Sequence, residues 1–319
     1  MPATRVVILS DTHLSDPGKG AGSPAALRPL WRGATRVIFN GDTAETGDPR
    51  KREASDQAVA ELQALCEADG VRFTMVAGNH DPYITDTHFV RLRGGEVFVT
   101  HGDALHFAIA PWAESAKHLK KHHREVVREH NGEVSGDVDA KLLAAKQASA
   151  RQWWEEAYKR KRPGPVEGLW GKGVLALRVL WYWRTEPKRA MDFAERYAPA
   201  CRFFVFGHLH RAGVWTDAGD RDGRERTIIN TGAYSTPRWP RAVVISGQTL
   251  EVFSVKYDRK RGHGLAETPR ASFTLKHPPD AGDAADYPDH GTSEPLAGRT
   301  ERPGPAFVNP AGDAPDKAG

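Results

Sequence analysis

Cysteine is nearly absent from the 319-residue chain: Cys66 and Cys201 stand far apart and in no zinc-ligand spacing. A disulfide framework and a thiolate metal site are excluded, a reducing compartment is expected, and both residues read as small packing groups. Long hydrophobic runs are missing as well. The stretch Val6-Val7-Ile8-Leu9 is too short for the core of a secretory signal. The most apolar segment, residues 169–184, is interrupted by Lys172 and Arg178 and does not read as a membrane span. No fixed-period repeat is visible. What remains is an ordinary globular composition, 39% hydrophobic and 27% charged. At roughly 100–200 residues per domain, the length suits one large domain with an insertion, or two domains.

The net charge of +4 conceals a division along the chain. Residues 1–111 carry −3, 112–200 carry +6, 201–276 carry +6 and 277–319 carry −5. A basic middle favours anionic partners, phosphates or acidic lipid surfaces, without choosing between them. The last 43 residues hold 8 prolines and 6 glycines and few large apolar groups, and they read as a disordered acidic tail.

Short apolar runs at 5–9, 36–39, 72–76 and 97–100 read as strands buried on both faces, and residues 55–68, with Ala58, Val59, Leu62 and Leu65 at helical spacing, as a crossover helix. The pattern is α/β. Runs at 203–206, 214–215, 226–229, 242–245 and 250–255, punctuated by Gly219, Gly223 and Gly247, predict a second, mixed or antiparallel sheet. Between the halves, residues 113–130, 138–161 and 172–197 read as helices, with Pro163-Gly164-Pro165 breaking the second from the third. Residues 112–200 hold six of the nine tryptophans: Trp112, Trp153, Trp154, Trp170, Trp181 and Trp183.

Five short motifs place metal-ligand residue types directly after predicted strands: Asp11-Thr12-His13, Gly41-Asp42, Gly78-Asn79-His80-Asp81, His101-Gly102-Asp103 and Gly207-His208-Leu209-His210. Loops after strand ends converge on one crevice in open α/β sheets, and glycine beside a ligand lets the backbone approach an ion closely. Any one motif alone reads more readily as a turn or a solvated histidine than as a ligand set. Five in register argue for a site, and the mixed N/O donors suit Mn, Fe or Zn better than Ca.

These residues resemble the signature of the calcineurin-like metallophosphoesterases: D-x-H, G-D, G-N-H-D, H-G and G-H-x-H, over about residues 5–255 apart from the helical stretch. The resemblance implies a four-layer α/β/β/α sandwich formed by residues 1–111 and 201–276, a helical cap over 112–200 and the tail from 277. It implies two divalent ions, one held by Asp11, His13 and His210, the second by Asn79, His101 and His208, with Asp42 bridging. Metal-bound hydroxide would attack phosphorus, His80 would face the substrate as proton donor or charge stabiliser, and Asp81 would orient His80. Asp103 reads either as a loop carboxylate or as a partner of His101. Asn230 and Tyr234, in a segment similar to the N-x-G that borders the site in this superfamily, are candidate substrate contacts beside His106 and Arg211.

The substrate implied is a phosphodiester, pyrophosphate or phosphomonoester. Gly41-Asp42-Thr43-Ala44-Glu45 lacks the G-D-x-V-D-R-G of Ser/Thr protein phosphatases, which ranks that branch low. Nucleic acid is possible and not favoured, since only residues 159–162 form a basic run. The layout is similar to the UDP-2,3-diacylglucosamine hydrolases, which would make the substrate a nucleotide-linked lipid, although that branch carries arginine where His80 stands. The cap tryptophans then read either as packing or as a peripheral membrane or acyl-chain contact. A cytoplasmic enzyme, free or peripheral at the inner membrane surface, is the expectation, with a non-catalytic scaffold of the same fold as the remaining alternative.

Overall fold

In the computed structural model, which describes residues 4–16, 20–113, 115–130, 137–158, 167–217, 223–235 and 239–278, apolar side chains alternate along the strands and sort into three main cores. The chain runs through β1 (Arg5–Leu9), α1 (Pro24–Leu27), β2 (Arg36–Asn40), α2 (Arg52–Ala68), β3 (Arg72–Val76), β4 (Phe89–Leu92) and β5 (Val97–Thr100). Three helices follow: α3 (Ala116–Glu129), α4 (Val138–Tyr158) and α5 (Glu167–Tyr197). The remaining elements are β6 (Phe203–Phe206), β7 (Gly213–Asp217), β8 (Arg226–Asn230), β9 (Arg241–Ser246), β10 (Thr249–Asp258), β11 (Gly262–Leu265) and β12 (Ala271–Thr274). The basic run at 159–162, the Pro163-Gly164-Pro165 break and the tail from 279 lie outside the described residues.

One sheet has the order β11-β10-β9-β1-β2-β3, with β12 beside β10, and the other β4-β5-β6-β8-β7. The strands after Cys201 therefore do not form a sheet of their own. Strands β6, β7 and β8 extend the sheet begun by β4 and β5, while β9 and β10 return to pair beside β1. Local pattern marks a strand and leaves its partner to long-range packing, so this split is invisible in the runs themselves.

Side chains two apart share a face, and the layers follow from that. Val6 and Ile8 meet Val97, Val99, Phe203 and Val205 between the sheets. Val7, Leu9, Val37 and Phe39 point outward onto Leu27, Trp31, Leu62 and Cys66 of the first helical layer. Phe98, Phe204, Phe206 and Ile228 point outward from the other sheet and are covered by Leu142, Ala145 and Ala148 of α4 and Ala190, Phe193 and Ala194 of α5. The result is a four-layer α/β/β/α sandwich. Both cysteines are buried without a partner cysteine, and burial pushes their thiols up to about 12, which keeps them unreactive.

Strands β1, β2 and β3 are parallel, as are β5, β6 and β8, so their carboxyl ends supply loops to a common edge from both sheets. No helix among the described residues is long and apolar enough to cross a membrane.

Candidate metal centre

Each of the five motifs sits where a strand stops, and in three of them non-glycine backbone is bent out of ordinary conformations. Asp11, His13, Asp42, His208 and His210 all adopt positive φ, between 44° and 68°. Non-glycine residues hold such angles at a cost and only where the surroundings over-determine them, which points to function. Two glycines show how tightly the loops meet. A Cβ on Gly41, itself at φ 80°, would lie 2.4 Å from the His101 ring, and one on Gly207 would lie 2.0 Å from Asp11 Oδ2.

Three groups of donors result, Asp11, His13 and His210 beside Asp42, His101 and His208, and His13 with Glu45 and His80, with ligating atoms in each group within 4.8 Å of one another. Asn79 joins the second, its Oδ1 3.2 Å from His101 Nε2. The outer nitrogen of every ring is engaged. His13 Nδ1 donates to Glu45 Oε1 at 2.8 Å, His101 Nδ1 to the Asn40 carbonyl at 3.1 Å and His208 Nε2 to the Ile109 carbonyl at 3.0 Å, while Ser235 Oγ lies 2.8 Å from His210 Nδ1. Partners that only accept fix the proton on the outer nitrogen and turn the other nitrogen, with its lone pair, inward.

Inward, His13 Nε2 is 3.2 Å from His210 Nε2, a pair that one shared proton or a cation joins, and His101 Nε2 is 3.3 Å from Asp42 Oδ2, where two acceptors need a proton or a cation between them. Burial opposes ionisation of Asp42, yet the charges of His101 and His80 hold it well below the usual carboxylate range. Burial likewise opposes a proton on His101, and Asp42 outweighs it, pushing the imidazole up to about 9. His208, desolvated and beside His101, is pushed down to about 4 and stays neutral. Buried carboxylates, imidazoles oriented by outer partners and an amide oxygen are donors that suit divalent cations, so the donor set fits the ions.

His80 lies at the rim, its side chain 32% exposed. Its Nδ1 donates to Glu45 Oε2 at 2.9 Å, so one carboxylate holds both His13 and His80. Against burial, the charges of Glu45 and Asp42 push His80 up to about 10. Asp81 is not the group that orients it: its oxygens accept the backbone N–H of Gly78, Asp42 and Thr43 at 2.6–3.0 Å, which locks the Asp42 loop. Asp103 does not touch His101 either; it forms a buried ion pair with Lys146 of α4 at 2.7 Å.

Residues 4–212 match the family model described as calcineurin-like phosphoesterase. The chain belongs to that family. A comparison with curated proteins found no match. Among solved structures, a predicted phosphoesterase from Streptococcus pneumoniae is 15% identical, with 86% of this chain and 99% of that one covered and a TM-score of 0.35. A dimetal phosphatase from Danio rerio is 15% identical, covering 86% and 100% with a TM-score of 0.43. Vacuolar Protein Sorting 29 from Cryptosporidium parvum is 14% identical, covering 86% and 100% with a TM-score of 0.38.

The remaining candidates are spread around this candidate centre. Asn230 is fully buried and donates to Glu186 Oε1 and to the Gly207 carbonyl, bracing the loop before His208. The Tyr234 ring packs in the core under the first helical layer, edge-on to His263, while its backbone N–H bonds the Asp11 carbonyl. His106 stacks on Phe107 with its edge to Tyr182, and burial pushes it down to about 4. Arg211 is held by a helix defect. Pro187 interrupts α5 and has no N–H for the carbonyl four residues earlier, and Arg211 Nη1 donates to that carbonyl, Trp183 O, instead.

Sequence reasoning assigned no role to Glu45, Glu186 or Ser235. Glu45 carried a legible signal, a second carboxylate in the loop of Asp42; Glu186 and Ser235 sit in segments whose pattern shows only helix and turn. Three tryptophans of the 112–200 stretch reach the loops that carry the candidate ligands. Trp153 Nε1 donates to the Asn79 carbonyl, Trp183 Nε1 donates to the Leu209 carbonyl, and the Trp112 ring lies 5.1 Å from that of His208.

Proposed function

We propose that this calcineurin-like phosphoesterase is a dinuclear metal-dependent hydrolase of phosphodiester, pyrophosphate or phosphomonoester bonds. Residues 1–111 and 201–276 form its catalytic core and 112–200 are inserted between them. Asp11, His13 and His210 hold one cation, Asn79, His101 and His208 the other, and Asp42 is shared. Manganese is the first candidate, with iron and zinc next. The observation that carries the reading is the arrangement of four histidines, each engaged at its outer nitrogen and clustered two by two with a buried carboxylate, Asp11 or Asp42.

Bound cations would supply an ionised water at neutral pH and charge stabilisation of the phosphoryl oxygens. His80, protonated and held by Glu45, is placed to donate to the leaving oxygen. Asp81 keeps the Asp42 loop in shape, and Arg211, anchored on Trp183, presents a fixed guanidinium beside His210. The test is Mn-dependent turnover of an aryl phosphodiester beside the matching monoester, with Asp42→Asn as control and bound metal measured on the same samples. Turnover lost in the variant supports the hydrolase; bound metal with no turnover of either ester by the unaltered protein moves the reading to a non-catalytic scaffold.

A further inference from the structure

The peptide unit joining Asn79 to His80 is held at both ends. Its N–H, from His80, donates to Asp42 Oδ1 at 2.8 Å. Its carbonyl, from Asn79, accepts the indole N–H of Trp153 at 2.8 Å. The peptide plane is rigid, so turning it would shift the side chains of Asn79 and His80 together. The partner on the N–H side belongs to the centre itself, while the partner on the carbonyl side comes from α4, outside the strand-end loops.

The surroundings are cut to admit that indole. Gly47 lies beneath it, and a Cβ there would stand 2.7 Å from both Cδ1 and Nε1 of Trp153 and 2.7 Å from the His80 carbonyl oxygen. Gly47 N also donates to that same carbonyl at 2.7 Å, fixing the next peptide along. The indole meets the His80 ring at 64° with centroids 5.4 Å apart. A half-buried tryptophan usually finds one acceptor for its N–H, and here the acceptor is the backbone between a candidate ligand and the candidate proton donor.

We propose that Trp153 is a positioning residue for His80: from α4 it fixes the Asn79–His80 peptide, and through it the angle at which His80 faces the leaving oxygen. This rests on the hydrolase reading above. A proton donor matters most when the leaving group is poor, so a misplaced His80 is felt on an unactivated ester and hardly on an activated one.

The experiment compares methyl phenyl phosphate with methyl 4-nitrophenyl phosphate on Mn-loaded unaltered protein and on Trp153→Phe, which keeps a ring and removes the N–H. Mn2+ affinity is measured on both by calorimetry. The expected result is that the variant's ratio of 4-nitrophenyl to phenyl turnover rises about tenfold and that its weaker Mn2+ affinity falls about threefold to tenfold. An unchanged ratio overturns the proposal, whether activity is intact or falls equally on both esters. If the unaltered protein turns over neither ester, the hydrolase reading fails, and Mn2+ affinity alone decides: equal affinity in the two proteins overturns a positioning role. If Trp153→Phe does not fold, Gly47→Ala, which keeps the donor and displaces it, takes its place: a raised ratio supports the proposal and an unchanged one overturns it.

Discussion

Glu45 Oε2 accepts a hydrogen bond from Nδ1 of His80 at 2.9 Å, while the other oxygen of the same buried carboxylate holds His13 at 2.8 Å. One side chain thus sets the orientation of a candidate ligand and of the candidate proton donor. Glu45→Gln keeps the size and one acceptor but loses the charge and one of the two bonds. Turnover is expected to fall roughly tenfold to a hundredfold at saturating Mn2+, more on esters with poor leaving groups. Steady-state kinetics with unaltered kcat would refute the link.

Pro187 and Arg211 give a second expectation. Pro187→Ala restores an N–H for the Trp183 carbonyl, which Arg211 now uses. A proline inside a helix costs about 3 kcal/mol, so the variant should melt higher. Arg211 loses its anchor, and KM for a phosphoester should rise severalfold. A higher melting temperature with the same KM would show that Arg211 takes no part in binding.

Lys146 and Asp103 form an ion pair with neither side chain more than 1% exposed. Lys146→Met strands the carboxylate in the core and should cost about 3–5 kcal/mol in urea unfolding. The double variant Lys146→Met with Asp103→Leu removes both charges and should recover most of that loss. Equal instability of the single and double variants would contradict this.

Glu186 of α5 is fully buried, and burial pushes it up to about 8 from an ordinary value of 4.5. A carboxyl raised in the folded state keeps its proton there after the unfolded chain has released it, so this group lowers stability as pH climbs from about 4.5 to 8. Glu186→Gln is neutral throughout and still accepts from Asn230. Its melting temperature relative to the unaltered protein should rise steadily between pH 5 and pH 8 and level off above. A difference independent of pH would mean that Glu186 is ionised in the fold at pH 5.

Much of this was legible in the sequence because strand, turn and ligand coincide. Val6-Val7-Ile8-Leu9 followed by Asp11-Thr12-His13 declares a buried strand and its functional end in a dozen residues, and the same holds at 36–42, 72–80 and 203–210. Relations across the chain were not legible. Nothing local tells that 242–245 pairs beside β1 rather than β8, or that Phe204 and Phe206 face α4 and α5. The 112–200 stretch reads as a cover for the site, yet its helices also seal the outer face of a sheet. Adjacency in the chain points to Asp81 as the carboxylate on His80; it is Glu45, 35 residues earlier, because Asp81 is consumed by four backbone N–H groups.

The central claim is that the converging histidines and carboxylates hold cations that drive phosphoester hydrolysis. Its most direct test is Mn2+-dependent turnover of an aryl phosphodiester and the matching monoester, with metal content read on the same sample for the unaltered protein and Asp42→Asn. Bound Mn2+ and turnover of at least one ester are expected, both strongly reduced in the variant. Equal turnover by the two proteins, or a metal content indifferent to Asp42, would contradict the claim.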